Sequence, residues 1–437
     1  MRRHSLPHHT PLCATLGLVL LLVASSANSE SLMEIYNLAI GNDPQYQASR
    51  AGLAASQETL PQSTANFLPT ISAGASHTEN IDPDSGNSDS VSLALTQPLY
   101  KHGSFVERRR AKSVVAQAEA EFQVAEQRLI LDVAKAYFDV LSAQDNLEFS
   151  RAEERSNARQ LDQTQQRFDV GLVAITDVHE SRAAHDISIA ATIEAENRLD
   201  GAKENLREIT GLYHQSLSTL QDDVPLIPPN PSDLQEWTDM ALDQNPSLLA
   251  AEQATEQAKE NVNAQRSGNF PTVNLSINYV DSSTHSTNPL VPDSSASNTT
   301  ATVNLNMPLY EGGRTQSHIA QAREYLRQSR QFLEQTRRTT QRNVRNAYRG
   351  VISGISRVKA LKQALISNQS ALRAAEAGYE VGTRTTVDVL VARRNLFSAQ
   401  RDYSQARYNY LLDTLRLQQA AGSLTANNLK TISDWLH

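Results

Sequence analysis

The chain is written twice, and no other feature restricts its fold as much. Asp43-Pro44 recurs as Asn245-Pro246 and Pro69-Thr70 as Pro271-Thr272, both 202 residues on. Pro98-Leu99-Tyr100 with Gly103 returns as Pro308-Leu309-Tyr310 with Gly313, 210 residues on. Ala136-Tyr137, Val170-Gly171, Asp177-Val178 and Gly211 return as Ala347-Tyr348, Val381-Gly382, Asp388-Val389 and Gly422, all 211 residues on. A period of about 200 residues is far too long for a solenoid unit, so each copy is a substantial structural half. Turn-forming residues are kept better than the residues between them, which points to one architecture read twice.

Ahead of the repeats, Arg2 and Arg3 precede an apolar run, Leu16 to Ala24, and then the small residues Ala27-Asn28-Ser29. Residues 1–29 read as a secretory signal peptide with cleavage after Ser29. A membrane anchor would need nearer 20 apolar residues. Cys13 is the one cysteine, so a chain without the signal has no disulfide, thiolate chemistry or sulfur-ligated metal. His4, His8 and His9 leave with it. Aromatic residues are 5% of the chain, too few for several well-filled cores, and a formal charge of −8 gives no reason to expect nucleic acid. Beyond the signal no apolar stretch is long enough for a spanning helix, so any membrane crossing must be a β-barrel.

Four segments have strand patterning. Val91-Ser92-Leu93-Ala94-Leu95-Thr96, Val303-Asn304-Leu305-Asn306-Met307 and Val273-Asn274-Leu275-Ser276-Ile277-Asn278-Tyr279 alternate apolar with polar or small residues, and Ile71 to His77 does so more weakly. Turn-rich stretches, Asp82 to Asp89 and Asp281 to Asn298, read as hairpin loops. Asn274, Asn278, Asn304 and Asn306 suit a wet lumen better than lipid, as in barrels with an apolar outside and a polar inside. Four strands cannot close, because the smallest membrane barrels have about eight. Open edges are not tolerated in lipid, so several chains must pool strands: two copies give eight, three give twelve.

The helices have matching lengths. Glycine is absent from 104 to 170, and Ala, Gln, Glu, Arg and Leu dominate. Some 65 residues at 1.5 Å each make a helix of about 100 Å. Val344, Val351, Val358, Leu365, Leu372 and Tyr379 fall every seven residues, and so do Val133, Val140, Leu147, Glu154, Leu161 and Phe168 in the first copy. A sustained period of seven is a coiled-coil seam. The first half, 30–228, reads as a half-length helix over 31–66, strands over 69–80 and 89–98, a long helix over 104–168 and a half-length helix over 177–211. The second, 229–437, reads as a half-length helix over 237–268, strands over 271–281 and 299–308, a long helix over 314–378, a half-length helix over 388–421 and a short tail. The proline-rich stretch around Pro225, Pro228, Pro229 and Pro231 reads as a non-helical belt at mid-height.

These residues resemble the TolC-type outer-membrane channel proteins of Gram-negative efflux and secretion systems, over essentially all of the chain past the signal. The most specific stretches are Gln166 to Val178, QRFDVGLVAITDV, and Ala377 to Thr385 with Val387 to Leu390, AGYEVGTRT and VDVL. The resemblance implies an α+β membrane protein: a homotrimer with a twelve-stranded β-barrel in outer-membrane lipid, continuous with a periplasmic helical barrel. It implies no cofactor, and as partners a periplasmic adaptor (a membrane fusion protein) and an inner-membrane transporter of RND, ABC or MFS type. It places adaptor contacts at Val170, Gly171, Leu172, Val381, Gly382 and Thr383. It also implies a gate in which Tyr379 and Arg384 bond to Asp177 and Thr176, within and between protomers. Without the resemblance, Asp177 and Arg384 read as solvated charges at helix starts. The family's acidic rings match Asp388 and Val391, and only the first is acidic here.

No phosphate loop, His-Glu-x-x-His helix or Gly-x-Ser-x-Gly is present, and His179 and His185 are off the i, i+4 face needed for shared metal ligation. A non-conducting periplasmic scaffold would explain the heptads and the signal but not the asparagine-alternating strands. The basic run Arg323 to Arg349 reads as a solvated face, with lumen or groove charge as the alternative.

Overall fold

The computed structural model describes residues 29–81, 86–221, 223–286 and 290–436. The expected signal lies outside these residues except for Ser29, as do parts of both expected hairpin loops. The elements run α1 (Leu32–Asn42), α2 (Pro44–Gln57), α3 (Thr59–Ala65), β1 (Thr70–Thr78), β2 (Asn87–Lys101), α4 (His102–Asp169) and α5 (Ile175–Thr210). The second half follows as α6 (Leu234–Gln244), α7 (Pro246–Arg266), β3 (Thr272–His285), β4 (Ser294–Asn306), α8 (Arg314–Glu380), α9 (Thr386–Ala421) and α10 (Ala426–Ser433).

The strands form one antiparallel sheet in the order β1-β2-β3-β4, so the two hairpins, one from each repeat, join through β2 and β3. The register sets the faces. Ile71 pairs with Leu95, Leu95 with Ile277, and Ile277 with Ala301, making an apolar row across all four strands. One residue along, Asn274 pairs with Asn304 and Asn278 with Thr300, so the polar residues share the opposite face. β3 and β4 are longer than the pattern suggests, because the ladder continues through Asp281↔Ser297 and Ser283↔Ser295. Both faces are polar there. A strand with two like faces shows no alternation, and only its backbone pairing identifies it.

Two expectations fail in the helices. The half-length helices over 31–66 and 237–268 are each interrupted, at Asp43-Pro44 and Asn245-Pro246. Proline has no N–H to donate and pushes the preceding residue to extended backbone; Asp43 and Asn245 have ψ of 117° and 120°. Each then caps the next helix. Asp43 Oδ1 accepts from the Tyr46 N–H at 2.6 Å, and Asn245 Oδ1 accepts from the Ser247 and Leu248 N–H groups at 3.0 and 3.3 Å. A further break at Glu58 separates α3 from α2. The belt is also richer than expected: the C-terminal tail contains α10, and α10, α1 and α6 pack there against the long helices.

This belt holds the apolar core. Leu32 and Ile35 of α1, Tyr137 and Leu141 of α4, Leu411 of α9 and Leu429 of α10 are among its buried members. The heptad seam is buried through this level, at Val133, Val140, Val344 and Val351, and only half-buried lower down, at Leu161, Leu365 and Leu372. Below the belt α4 pairs with α5 and α8 with α9, and the first pair packs on α9 mainly through α4, with a lighter contact from α5. This single row of helices carries the tip.

Candidate functional site

Both hairpins of long and half-length helices turn at the same motif. Gly171 and Gly382 adopt φ of 78° and 77°, a left-handed conformation that side chains disfavour. In the first turn the Leu172 N–H reaches back to the Arg167 carbonyl at 2.8 Å; in the second the Thr383 N–H reaches the Gly378 carbonyl at 2.8 Å. These bonds satisfy carbonyls that the helix end leaves open. Val170, Leu172 and Val381 are 70–75% exposed, so the tips present an apolar crown to their surroundings.

Behind the second turn, Asp388 has a second role, whose sequence signal is the Thr385-x-x-Asp388 spacing at the start of α9. Thr385 caps α9, accepting from the Asp388 N–H at 3.2 Å. The Asp388 carboxylate accepts from the Thr385 N–H and hydroxyl, both at 2.9 Å. This is a reciprocal capping box. The bonds from Thr385, with help from the Arg384 charge, hold the Asp388 carboxyl below its ordinary value. Arg384 Nη1 lies 3.9 Å from Asp388 Oδ1. Val391, a turn further along α9, is 45% exposed.

The four expected gate residues are therefore not joined inside one protomer. Arg384 turns to Asp388 instead of Asp177 or Thr176. It also packs so close to Gly378 that a Cβ there would stand 2.6 Å from Arg384 Cγ. Thr176 is exposed and Asp177 half-buried in the first turn of α5. The Tyr379 hydroxyl is buried without a hydrogen-bond partner among the described residues, and the Arg167 guanidinium lies over its ring at 4.6 Å.

A different set of polar links ties the second hairpin to the first. Arg393 is buried on α9; its Nη1 donates to the Ser156 carbonyl of α4 and its Nη2 to Glu376 of α8, each at 3.2 Å. Higher up, Arg401 Nη1 donates to Glu153 at 3.1 Å. Asp145 accepts from the Tyr408 hydroxyl at 2.9 Å and from Ser404. Burial and the Asp145 charge push the Tyr408 hydroxyl well above its ordinary value, so it remains a donor. The sequence signal for Arg393 is faint: a charge four residues past the buried Val389, on the face of α9 that packs inward. Beside it opens a cleft of about 580 Å³ lined by Ser156, Gln160, Arg167, Glu376, Tyr379 and Arg393. Among the described residues no group of His, Cys, Asp and Glu is placed to hold a metal.

The model of the family described as "Outer membrane efflux protein" matches residues 35–212 and 237–423, one stretch in each repeat. The chain belongs to the outer membrane efflux protein family. It is 39% identical to outer membrane protein TolC of Vibrio cholerae, over 94% of this chain and 95% of that protein. It is 28% identical to the alkaline protease secretion protein AprF of Pseudomonas aeruginosa, over 95% of this chain and 89% of that protein. The Campylobacter jejuni CmeC outer membrane channel has the same fold, with a TM-score of 0.77 at 17% identity over 99% of this chain and 98% of that one. This family member is thus an exit duct in the outer membrane of a Gram-negative cell, with a helical extension into the periplasm. Among its described residues no helix is long and apolar enough to cross a membrane.

Proposed function

We propose that three copies close one passive duct, opened at its periplasmic tip by an adaptor and an inner-membrane transporter of RND, ABC or MFS type. The observation that carries this reading is the pair of sheet edges left unpaired among the described residues. β1 and β4 lie at opposite ends of the sheet, and an edge in lipid leaves backbone groups unpaired at several kcal/mol each. Pairing β4 of one copy with β1 of the next removes every edge at once, and three copies give a twelve-stranded barrel. A relative named for protease secretion and a family named for efflux support both kinds of cargo.

The gate is proposed between protomers. A buried Tyr379 hydroxyl without a partner is costly, and Asp177 of a neighbouring copy would satisfy it. Exposed polar links contribute only about 0–1 kcal/mol each. Repeated in three subunits, they hold a tip shut yet release when a partner docks on Val170, Gly171, Leu172, Val381, Gly382 and Thr383. Asp388 is proposed as a three-carboxylate ring that favours cations. Mass measurement of detergent-extracted protein, with conductance in a planar bilayer, tests the assembly. A trimer with discrete conductance is expected; a monomer that carries a full pore refutes the reading.

A further inference from the structure

Below the belt the helices of one protomer stand in the row α5-α4-α9-α8, with α5 also touching α9 beside α4, and among the described residues one side of α5 and one side of α8 are left uncovered. α8 is strongly basic and α5 acidic: α8 has thirteen Lys and Arg against four Glu, and α5 has eight Asp and Glu against four Lys and Arg. On α8, one residue past the seam positions Val358, Leu365 and Leu372, lie Lys359, Ile366 and Arg373. All three are exposed, Ile366 at 48%. On α5 the same spacing of seven gives Asp200, Ile193 and Asp186, also exposed, Ile193 at 62%.

Their heights agree. Arg151 Nη2 donates to Glu196 at 2.7 Å, Arg401 pairs with Glu153, and Gly354 packs against Tyr410. Carried along the row, these contacts put Glu196 of α5 level with Leu361 of α8. Lys359 and Asp200 then differ in height by about 3 Å at 1.5 Å per residue. Rotation about a pore axis preserves height, so the same levels meet between copies. Because α8 descends while α5 climbs, all three pairs stay in step.

We propose that α8 of one protomer and α5 of the next close the lower ring in this one register. Lys359 meets Asp200 of the neighbouring copy, Ile366 meets its Ile193, and Arg373 meets its Asp186. The occupant of both free faces is a second copy of this chain, selected by charge at two levels and by apolar contact between them. A slip of one heptad would set Lys359 or Arg373 against Ile193. The seam rests on the trimer proposed above and adds to it the register of the subunit contact.

Thiol cross-linking tests it, because Cys13 is the one cysteine and lies in the segment read as signal. α5 and α8 end opposite sides of the row, so a short cross-linker between them joins copies and not one chain to itself. Asp200→Cys with Lys359→Cys, and Asp186→Cys with Arg373→Cys, should give covalent dimers and trimers on a denaturing gel. Asp200→Cys with Arg373→Cys, out of register, should stay monomeric. Separately, Asp200→Lys or Lys359→Asp alone should lower the temperature at which the trimer dissociates in detergent, and the double reversal should restore it. Intact trimers in which in-register pairs link no better than the out-of-register pair, or in which the double reversal is no better than the singles, overturn the seam alone. A monomeric wild-type protein sinks the trimer and the seam together.

Discussion

The repeat supplies an internal control for one stability prediction. Gly211 ends α5 and Gly422 ends α9, at equivalent places in the two copies, with φ of 75° and 82°. A side chain in that left-handed conformation costs about 1–2 kcal/mol at either position. Their surroundings differ. A Cβ on Gly211 would meet only the Asn42 side chain, at 3.8 Å, which is ordinary contact. On Gly422 it would stand 2.6 Å from the Gln244 carbonyl oxygen and 2.8 Å from Asn245 Cα, both backbone. Neither can swing aside as a flexible side chain would. The Gly422 carbonyl also accepts from Gln127 at 2.9 Å, and Asn245 donates to the Ala420 carbonyl at 2.9 Å, so displacing this junction loosens α4, α7 and α9 together. Overpacking of this kind adds about 1–3 kcal/mol. Gly211→Ala should therefore lose about 1–2 kcal/mol and Gly422→Ala about 2–5 kcal/mol, conformational and steric costs together. Thermal unfolding of detergent-extracted protein, followed by circular dichroism at one scan rate, ranks the two variants. Equal losses, or a larger loss for Gly211→Ala, would refute the idea that backbone approach makes Gly422 special.

Tyr379→Phe with Arg384→Ser should open the resting channel, raising single-channel conductance and the entry of large antibiotics. Trimers that still conduct like wild type would remove these residues from the gate. Asp388→Asn should lower cation selectivity, read from reversal potentials in a salt gradient, while Val391→Asp should add a second ring and tighten block by trivalent cations. Within one chain the Thr385 bonds hold the Asp388 carboxyl below its ordinary 3.8, so its cap on α9 stabilises the fold above that value and is lost as pH falls below it, which thermal unfolding followed against pH reads out.

Much of this architecture is legible in local pattern because its causes are local. The apolar-polar alternation of Val273 to Tyr279 is the two-faced strand itself, and the observed register places Asn274 and Asn304 opposite each other. The period of seven from Val344 onward is likewise the packed edge of α8, buried down to Val358 and half-buried below it, since a helix returns nearly the same face every two turns. The tip turns are visible for the same reason: Gly171 and Gly382 sit where only left-handed backbone ends the helix. Asp43-Pro44 is visible as punctuation but does more than separate repeats, because a proline after a good capping residue both ends one helix and starts the next.

Chain composition and periodicity by themselves determine the two halves, the four strands with unlike faces, the long helices and their turns, because backbone sterics and the burial of one face act over a few residues. They do not determine which groups far apart in the chain become partners. Arg393 looks like a surface charge, and in the fold it is buried between Ser156, 237 residues away, and Glu376. The joining of β2 to β3 links one repeat to the other through residues nearly two hundred positions apart. Such choices depend on which surfaces the folded helices and strands bring to the same height, and no short window of sequence contains that distance.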